Sequence, residues 1–188
     1  MSLDQQVFFE IMASFPSGVA VVTTADAEGT PFGLTTTAVS SVSASPPTLL
    51  VCVDVAARTL PALRERRRFV VNFMRAGRSE LGLLFASKAD DKFARVAWRA
   101  TDSGLPLLEH DVLAWAEAKT EQELVIGDHV VLIARVVDGG VLGHGLAPLM
   151  YYRRSWGVWT PAHEPAREEP MQPIEVGARD LRWHGAEL

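Results

Sequence analysis

From Val19 to Tyr152 the chain is a succession of runs that read as strands, with no long helical pattern between them. That spacing constrains the fold more than any other feature. Successive parallel strands need a crossover of about a dozen residues or more, usually a helix, so a doubly wound parallel sheet does not fit. A mainly antiparallel sheet closed into a barrel does, because closure removes exposed strand edges.

The individual runs follow from residue type. Val19 to Thr24 is β-branched, and the polar stretch Ala25 to Gly29 turns the chain. Phe32 to Ser43 is rich in threonine, serine and valine and reads as a strand or strand edge, broken by Pro46-Pro47. Thr48 to Val53 and Phe69 to Phe73 read as buried strands. Val112 to Leu124 reads as a long strand, although Ala116 to Lys119 also suits a helix. His129 to Val137 is a strong strand, Gly139-Gly140 reads as a turn, and Pro148 to Tyr152 closes the set. Together these make about seven strands. Two or three short helices flank them. Asp4 can cap a helix carrying Val7, Phe8, Ile11, Met12 and Phe15. Thr59 can cap a brief helix with Pro61 in its first turn. Ser79 to Ala86 puts Leu81, Leu84 and Phe85 on one face.

The 188 residues suit one domain, placed at 1–160. Beyond it, 161–188 is proline-rich and charged and reads as an extended arm or tail, with Leu181 and Trp183 able to dock on a neighbour. A net charge of −5 argues against nucleic acid as the main partner. Arg64, Arg66, Arg67 and Arg68 are a local exception, read either as a solvated helix end or as an attractor for a dinucleotide phosphate. The single cysteine, Cys52, allows no intrachain disulfide and points to a reducing cytoplasm. The opening residues carry Asp4 and Glu10 and do not resemble a signal peptide. No apolar run is long enough for a membrane-spanning helix.

Common catalytic motifs are missing. Gly143-x-Gly145 lacks the rest of a dinucleotide fingerprint, and there is no phosphate-binding P-loop. The five histidines show no metal-ligand spacing, and no Gly-x-Ser-x-Gly elbow exists, so no metal is expected. What remains is Gly33 to Ser43. Hydroxyl-rich strands with small residues let a planar ligand approach and offer neutral donors to ring carbonyls and phosphates. A solvated edge strand accounts for the same composition.

A set of blocks in fixed order carries more. They are Phe15-Pro16-Ser17-Gly18-Val19, Ser41-Val42-Ser43-x-x-Pro46-Pro47, Phe69-Val70-Val71-Asn72 and Phe85-Ala86-Ser87-Lys88. Asp91-Lys92-Phe93, Gly127-Asp128-His129 and Leu149-Met150-Tyr151-Tyr152-Arg153 follow. Together they resemble the flavin reductase-like family, and in particular the reductase components of two-component flavin monooxygenases. The resemblance implies a split β-barrel that works as a homodimer. It implies FAD or FMN, with FAD favoured, laid against Gly33, Leu34, Thr35, Thr36, Thr37 and Ala38. Cys52, Val53, Asp54, Arg58 and Thr59 lie nearby, Ser87 and Lys88 approach the phosphate, and Tyr151 and Arg153 complete the set. It places His129 beside the nicotinamide of NADH or NADPH, with Asp128 setting its tautomer or capping the turn. Hydride transfer needs placement more than proton transfer, which suits a chain with no strong catalytic constellation. The implied partner is a monooxygenase that receives reduced flavin. A bound-flavin oxygenase or oxidase on the same fold, and a non-catalytic flavin-binding module, are the competing readings. The chain departs from the family pattern in carrying Arg154 where a glycine is usual, and Thr35-Thr36-Thr37 in the flavin strand.

Overall fold

The computed structural model describes residues 3–160, so the proline-rich segment 161–188 lies outside the described residues. The chain opens with helix α1 (Gln5–Ala13), capped by Asp4, whose carboxylate accepts from the Gln6 and Val7 amides. Strands β1 (Ser17–Gly18), β2 (Ala20–Ala25), β3 (Pro31–Thr36), β4 (Val39–Ala44) and β5 (Pro47–Asp54) follow. Helix α2 (Leu60–Arg66), strand β6 (Arg68–Met74) and helix α3 (Ser79–Ala86) come next. After the short strands β7 (Arg99–Ala100) and β8 (Pro106–Leu107) run the long β9 (Val112–Ile126) and β10 (His129–Val141). β11 (Leu149–Tyr152) and β12 (Ser155–Val158) end the described fold.

Seven strands form one antiparallel sheet in the order β3-β2-β6-β9-β10-β5-β4. The order explains why Phe32 to Ser43 is not one strand. Its two halves lie at opposite edges of the sheet, and Thr37-Ala38 carries the chain across the gap between them. Closing the sheet in this way gives an antiparallel split β-barrel.

β2 is buried along its whole length because both of its faces are covered. Ala20 and Val22 point into the barrel with Val51, Val53, Phe69 and Leu132, where Leu60 and Leu63 of α2 also pack. Val19 and Val21 meet a second cluster with Met74, Phe85 and Leu149. The two-residue side-chain period thus splits one apolar run between two cores. Asn72, fully buried on β6, ties the layers together. Its amide donates to the Val21 carbonyl and the Thr23 hydroxyl, both at 3.0 Å, and its oxygen accepts from the Leu108 amide at 2.9 Å.

Other local expectations change. Gly139 and Gly140 do not turn the chain. They stay in β10 opposite Ala116 and Trp115, and a Cβ on Gly139 would stand 2.8 Å from the Trp115 carbonyl oxygen. The glycines are there to admit a close neighbour rather than to bend the backbone. Ala116 to Lys119 is strand, held between β6 and β10. Thr59 sits at the start of α2 but its side chain makes no capping bond, and Pro61 occupies the first turn. The arginine run is absorbed locally. Arg64 pairs with Glu123, Arg68 with the buried Glu117, Arg66 donates to the Ser103 carbonyl, and Arg67 to the Thr120 carbonyl. That favours the solvated helix end over the phosphate attractor.

The β11–β12 hairpin, which the sequence reading stops short of, turns through Arg153 and Arg154 at φ of 47° and 61°. A two-residue hairpin of this class needs positive φ at both central positions, a conformation that suits glycine better than arginine. Arg154→Gly should therefore raise stability by about 0.5–1 kcal/mol, the relief of left-handed strain less glycine's entropy cost. A urea midpoint that stays put or falls would show that the Arg154 side chain contributes more than its backbone costs.

Candidate active site

The bridge across the sheet gap creates a cavity. Ala38 accepts the Cys52 amide at 3.0 Å, and the Thr36 hydroxyl receives the Ala38 amide at 3.0 Å. The first extends the β4–β5 ladder by one residue, the second folds the bridge back on β3, and the Thr36 hydroxyl lies 3.5 Å from the Cys52 carbonyl without making β3 a paired strand there. β3 pairs only with β2, so part of its outer backbone edge is left for a ligand. The cavity beside this seam has a volume of about 510 Å³, within the range of roughly 300–1,000 Å³ usual for small-molecule sites.

Its walls come from five parts of the fold. β3 supplies Leu34, Thr35 and Thr36, and the end of β5 supplies Cys52, Val53 and Asp54. Arg58 and Thr59 stand at the entrance to α2. Ser87 and Lys88 follow α3, and His129 opens β10. His129 is brought there by register, directly opposite Asp54. The sequence reading missed Ala56, Ala57, Phe85, Ala86 and Lys92 as lining residues. Phe85, Ala86 and Lys92 sit in the blocks that carry the resemblance, which is the signal that could have found them.

Five expected residues do not line this cavity. Gly33 lies behind the wall: a Cβ on it would meet the Phe85 ring at 2.7 Å. Ala38 serves the seam. Thr37, Tyr151 and Arg153 line a neighbouring cleft of about 280 Å³ together with Phe9, Met12 and Phe15 of the N-terminal segment.

The polar groups divide into two ends. At one end Asp128 holds the ring of His129, with Nδ1 and the carboxylate oxygen 2.8 Å apart. That hydrogen bond, aided by Asp128's own amide and the imidazole charge, keeps the Asp128 carboxyl below its usual range. With Nδ1–H donated to Asp128, Nε2 is the ring nitrogen outside that bond. At the other end lie Arg58, Lys88 and Lys92. Arg58 is already engaged: its guanidinium bonds Asp90 and the carbonyls of Lys88 and Ala89, clamping the loop after α3. The Ser87 hydroxyl likewise donates to the Leu84 carbonyl at 2.7 Å and accepts from the Ala89 amide. Burial raises the Cys52 thiol, so it serves as packing rather than as a nucleophile.

A flavin reductase like domain is recognised over residues 12–160. The chain belongs to the flavin reductase-like family. Among its relatives is the flavin reductase (NADH) of Kitasatospora aureofaciens, 42% identical over 89% of this chain and 86% of that protein. The flavin reductase (NADPH) of Lentzea aerocolonigenes is 41% identical over 80% of this chain and 88% of that one. The NADH:FAD oxidoreductase SgcE6 of Streptomyces globisporus C-1027, solved with NAD and FAD fragments, superposes with a TM-score of 0.79 at 26% identity, covering 87% and 99% of the two chains. Further relatives are named as reductase components of monooxygenases.

The packing of Phe85 on Gly33 is a direct test of how this family site is built. Gly33→Ala should cost about 1–3 kcal/mol through overpacking. It should also weaken flavin binding, because Phe85 lines the cavity. Urea unfolding and flavin titration of the same variant measure both effects. Loss of stability with full flavin affinity would show that the wall relaxes away from the cavity.

Proposed function

We propose that this chain is an NAD(P)H:flavin reductase that uses the seam cavity to reduce FAD or FMN and then releases it to a partner monooxygenase. The observation that carries the reading is the convergence of four separate elements on one cavity, in a chain of this family. Hydroxyl-bearing β3, the end of β5, the basic segment after α3 and His129 all meet there. The residues suit a flavin. The open backbone edge of β3 offers donors to ring carbonyls. The basic end suits a phosphate.

When bound, the flavin supplies the electron chemistry, accepting hydride from the nicotinamide. The chain's own part is placement. β3 and the end of β5 give the ring a fixed wall. Asp128 fixes the orientation of His129, and His129 borders the place where the nicotinamide would enter. The Thr35 hydroxyl is taken by the Gly82 carbonyl at 2.7 Å, so it holds α3 to β3 and leaves contacts with the ring to the backbone. Backbone donors along β3 suit negative charge on a reduced ring. Tyr151 and Arg153, in the neighbouring cleft, suit the remaining half of a dinucleotide. The cavity lacks a Rossmann helix terminus to grip a diphosphate, which favours flavin that comes and goes as a substrate.

Association as a homodimer belongs to the same proposal. α1 buries none of its residues in the subunit, yet Val7, Phe8, Phe9, Ile11 and Met12 are all exposed on it, with Phe15 just beyond. Leu124, Val125 and Ile126, close to His129, are exposed as well. Apolar surface of this extent calls for a cover, and a second copy is the simplest. FAD is favoured over FMN, in keeping with the FAD fragment named for SgcE6. The setting is the cytoplasm, where a free thiol such as Cys52 stays reduced; no helix among the described residues is long and apolar enough to cross a membrane.

NAD(P)H oxidation with FAD, FMN or no added flavin tests the reading. Turnover should depend on added flavin. His129→Ala should lower kcat/KM for the nicotinamide about tenfold while leaving the flavin KM within about twofold. No turnover with any flavin and either nicotinamide would overturn the proposal.

A further inference from the structure

Lys92 stands out among the cavity's cations. It sits on a single 3-10 turn, Lys92–Arg95, and its side chain reaches back to two backbone oxygens. Nζ donates to the Phe85 carbonyl at 2.8 Å and to the Gly33 carbonyl at 3.2 Å. The first is one of the carbonyls left open at the end of α3, and the second belongs to β3. The ammonium also lies 5.9 Å from the centre of the Phe85 ring. It is half-buried and lines the cavity.

Its electrostatic setting differs from that of its neighbours. Arg58 has its own carboxylate, Asp90, and is committed to the loop it clamps. Lys88 is exposed. Lys92 has no carboxylate within ion-pair distance among the described residues; its direct partners are neutral carbonyls. Burial and the nearby Arg58 charge both lower its proton affinity, with Asp90 opposing. All three effects act on a positive charge held in a poorly solvated wall. A charge screened by protein rather than water acts more strongly on a nearby anion than one on a mobile surface lysine.

We propose that Lys92 is the residue by which this cavity selects a phosphorylated flavin over an unphosphorylated one. The inference rests on the reductase reading, and it assigns to an interior lysine the discrimination that residue type alone would give to Arg58 and Lys88. A phosphate monoester or diphosphate brings the anion that the Lys92 ammonium lacks. Riboflavin carries the same ring and the same ribityl chain without that anion, so the two ligands differ only in the group being read.

The test compares the dissociation constants of FMN and riboflavin, followed by flavin fluorescence quenching, in the full chain. The native protein should prefer FMN, and Lys92→Met should cut that preference about tenfold. Lys92→Arg should keep it within about threefold, and so should Lys88→Met, whose exposed charge is screened by solvent. Should Lys92→Met fail to fold, the native protein still decides. A preference carried by a half-buried charge persists from about 0.05 to 0.5 M salt, whereas one carried by exposed Lys88 fades. If Lys92→Met weakens both flavins in parallel and leaves their ratio intact, Lys92 merely caps α3 and the proposal is overturned. A collapse of the ratio in Lys88→Met overturns it too. If the native protein oxidises NAD(P)H with either flavin but binds them equally, the reductase reading stands and the role of Lys92 falls. If it binds neither flavin, both fall together.

Discussion

The structure depends on the bridge at Thr37-Ala38. Two edge strands made from neighbouring stretches of chain stand at opposite ends of a seven-stranded sheet. The hydrogen bond from the Cys52 amide to the Ala38 carbonyl carries the β4–β5 ladder one residue further, and from the other edge the Thr36 hydroxyl comes within 3.5 Å of the Cys52 carbonyl. Full pairing there would satisfy every edge group and leave no space. The partial closure leaves a groove with exposed backbone along β3, hydroxyls at its rim, and four further parts of the fold close enough to wall it. Barrel formation and site formation are therefore one event in this chain. An edge that a protein would normally have to protect has become its binding surface.

The cavity's charges show a division of labour that residue type does not reveal. Arg58 and Ser87 have the chemistry to meet a phosphate, yet both spend their strongest bonds fixing the loop that follows α3. The shape of the basic end is set by those side chains. Its electrostatic character comes from Lys88 and Lys92. At the opposite end the Asp128–His129 contact is a bond between adjacent residues in a tight hairpin. Gly127 at φ 59° makes that turn possible.

Much of this was legible in the sequence. β-branched runs mark most of the strands, Pro61 and Asp4 mark two helix starts, and Ser79 to Ala86 carries the face that packs. The ordered blocks, not periodicity, point to the family. What was not legible has specific causes. Phe32 to Ser43 looks continuous because both halves have strand composition, and only tertiary pairing separates them. Gly139-Gly140 resembles a turn because glycine serves two purposes, and the proximity of Trp115 is invisible in one dimension. Lys92 falls within one of the ordered blocks, and nothing in its spacing marks it out. Its importance lies in reaching carbonyls at Gly33 and Phe85 across the fold, a relation that spacing does not encode. The arginine run looked like a patch until its partners, from Ser103 to Glu123, were in place.

The sheet order also has a kinetic side. The hairpin of β9 and β10, and that of β2 and β3, join residues close in sequence and can form early. β2 must then find β6, β6 must find β9, and β10 must find β5, each across a long stretch of chain. Such distant pairings form slowly because the loop entropy is lost before the contacts repay it. The contact of Ala38 with Cys52 is local by comparison and can form with the β4–β5 hairpin. The groove takes its full shape only when the segment after α3 and His129 of β10 have joined β3 and β5, and a chain caught one step short would have formed hairpins with no place for a ligand.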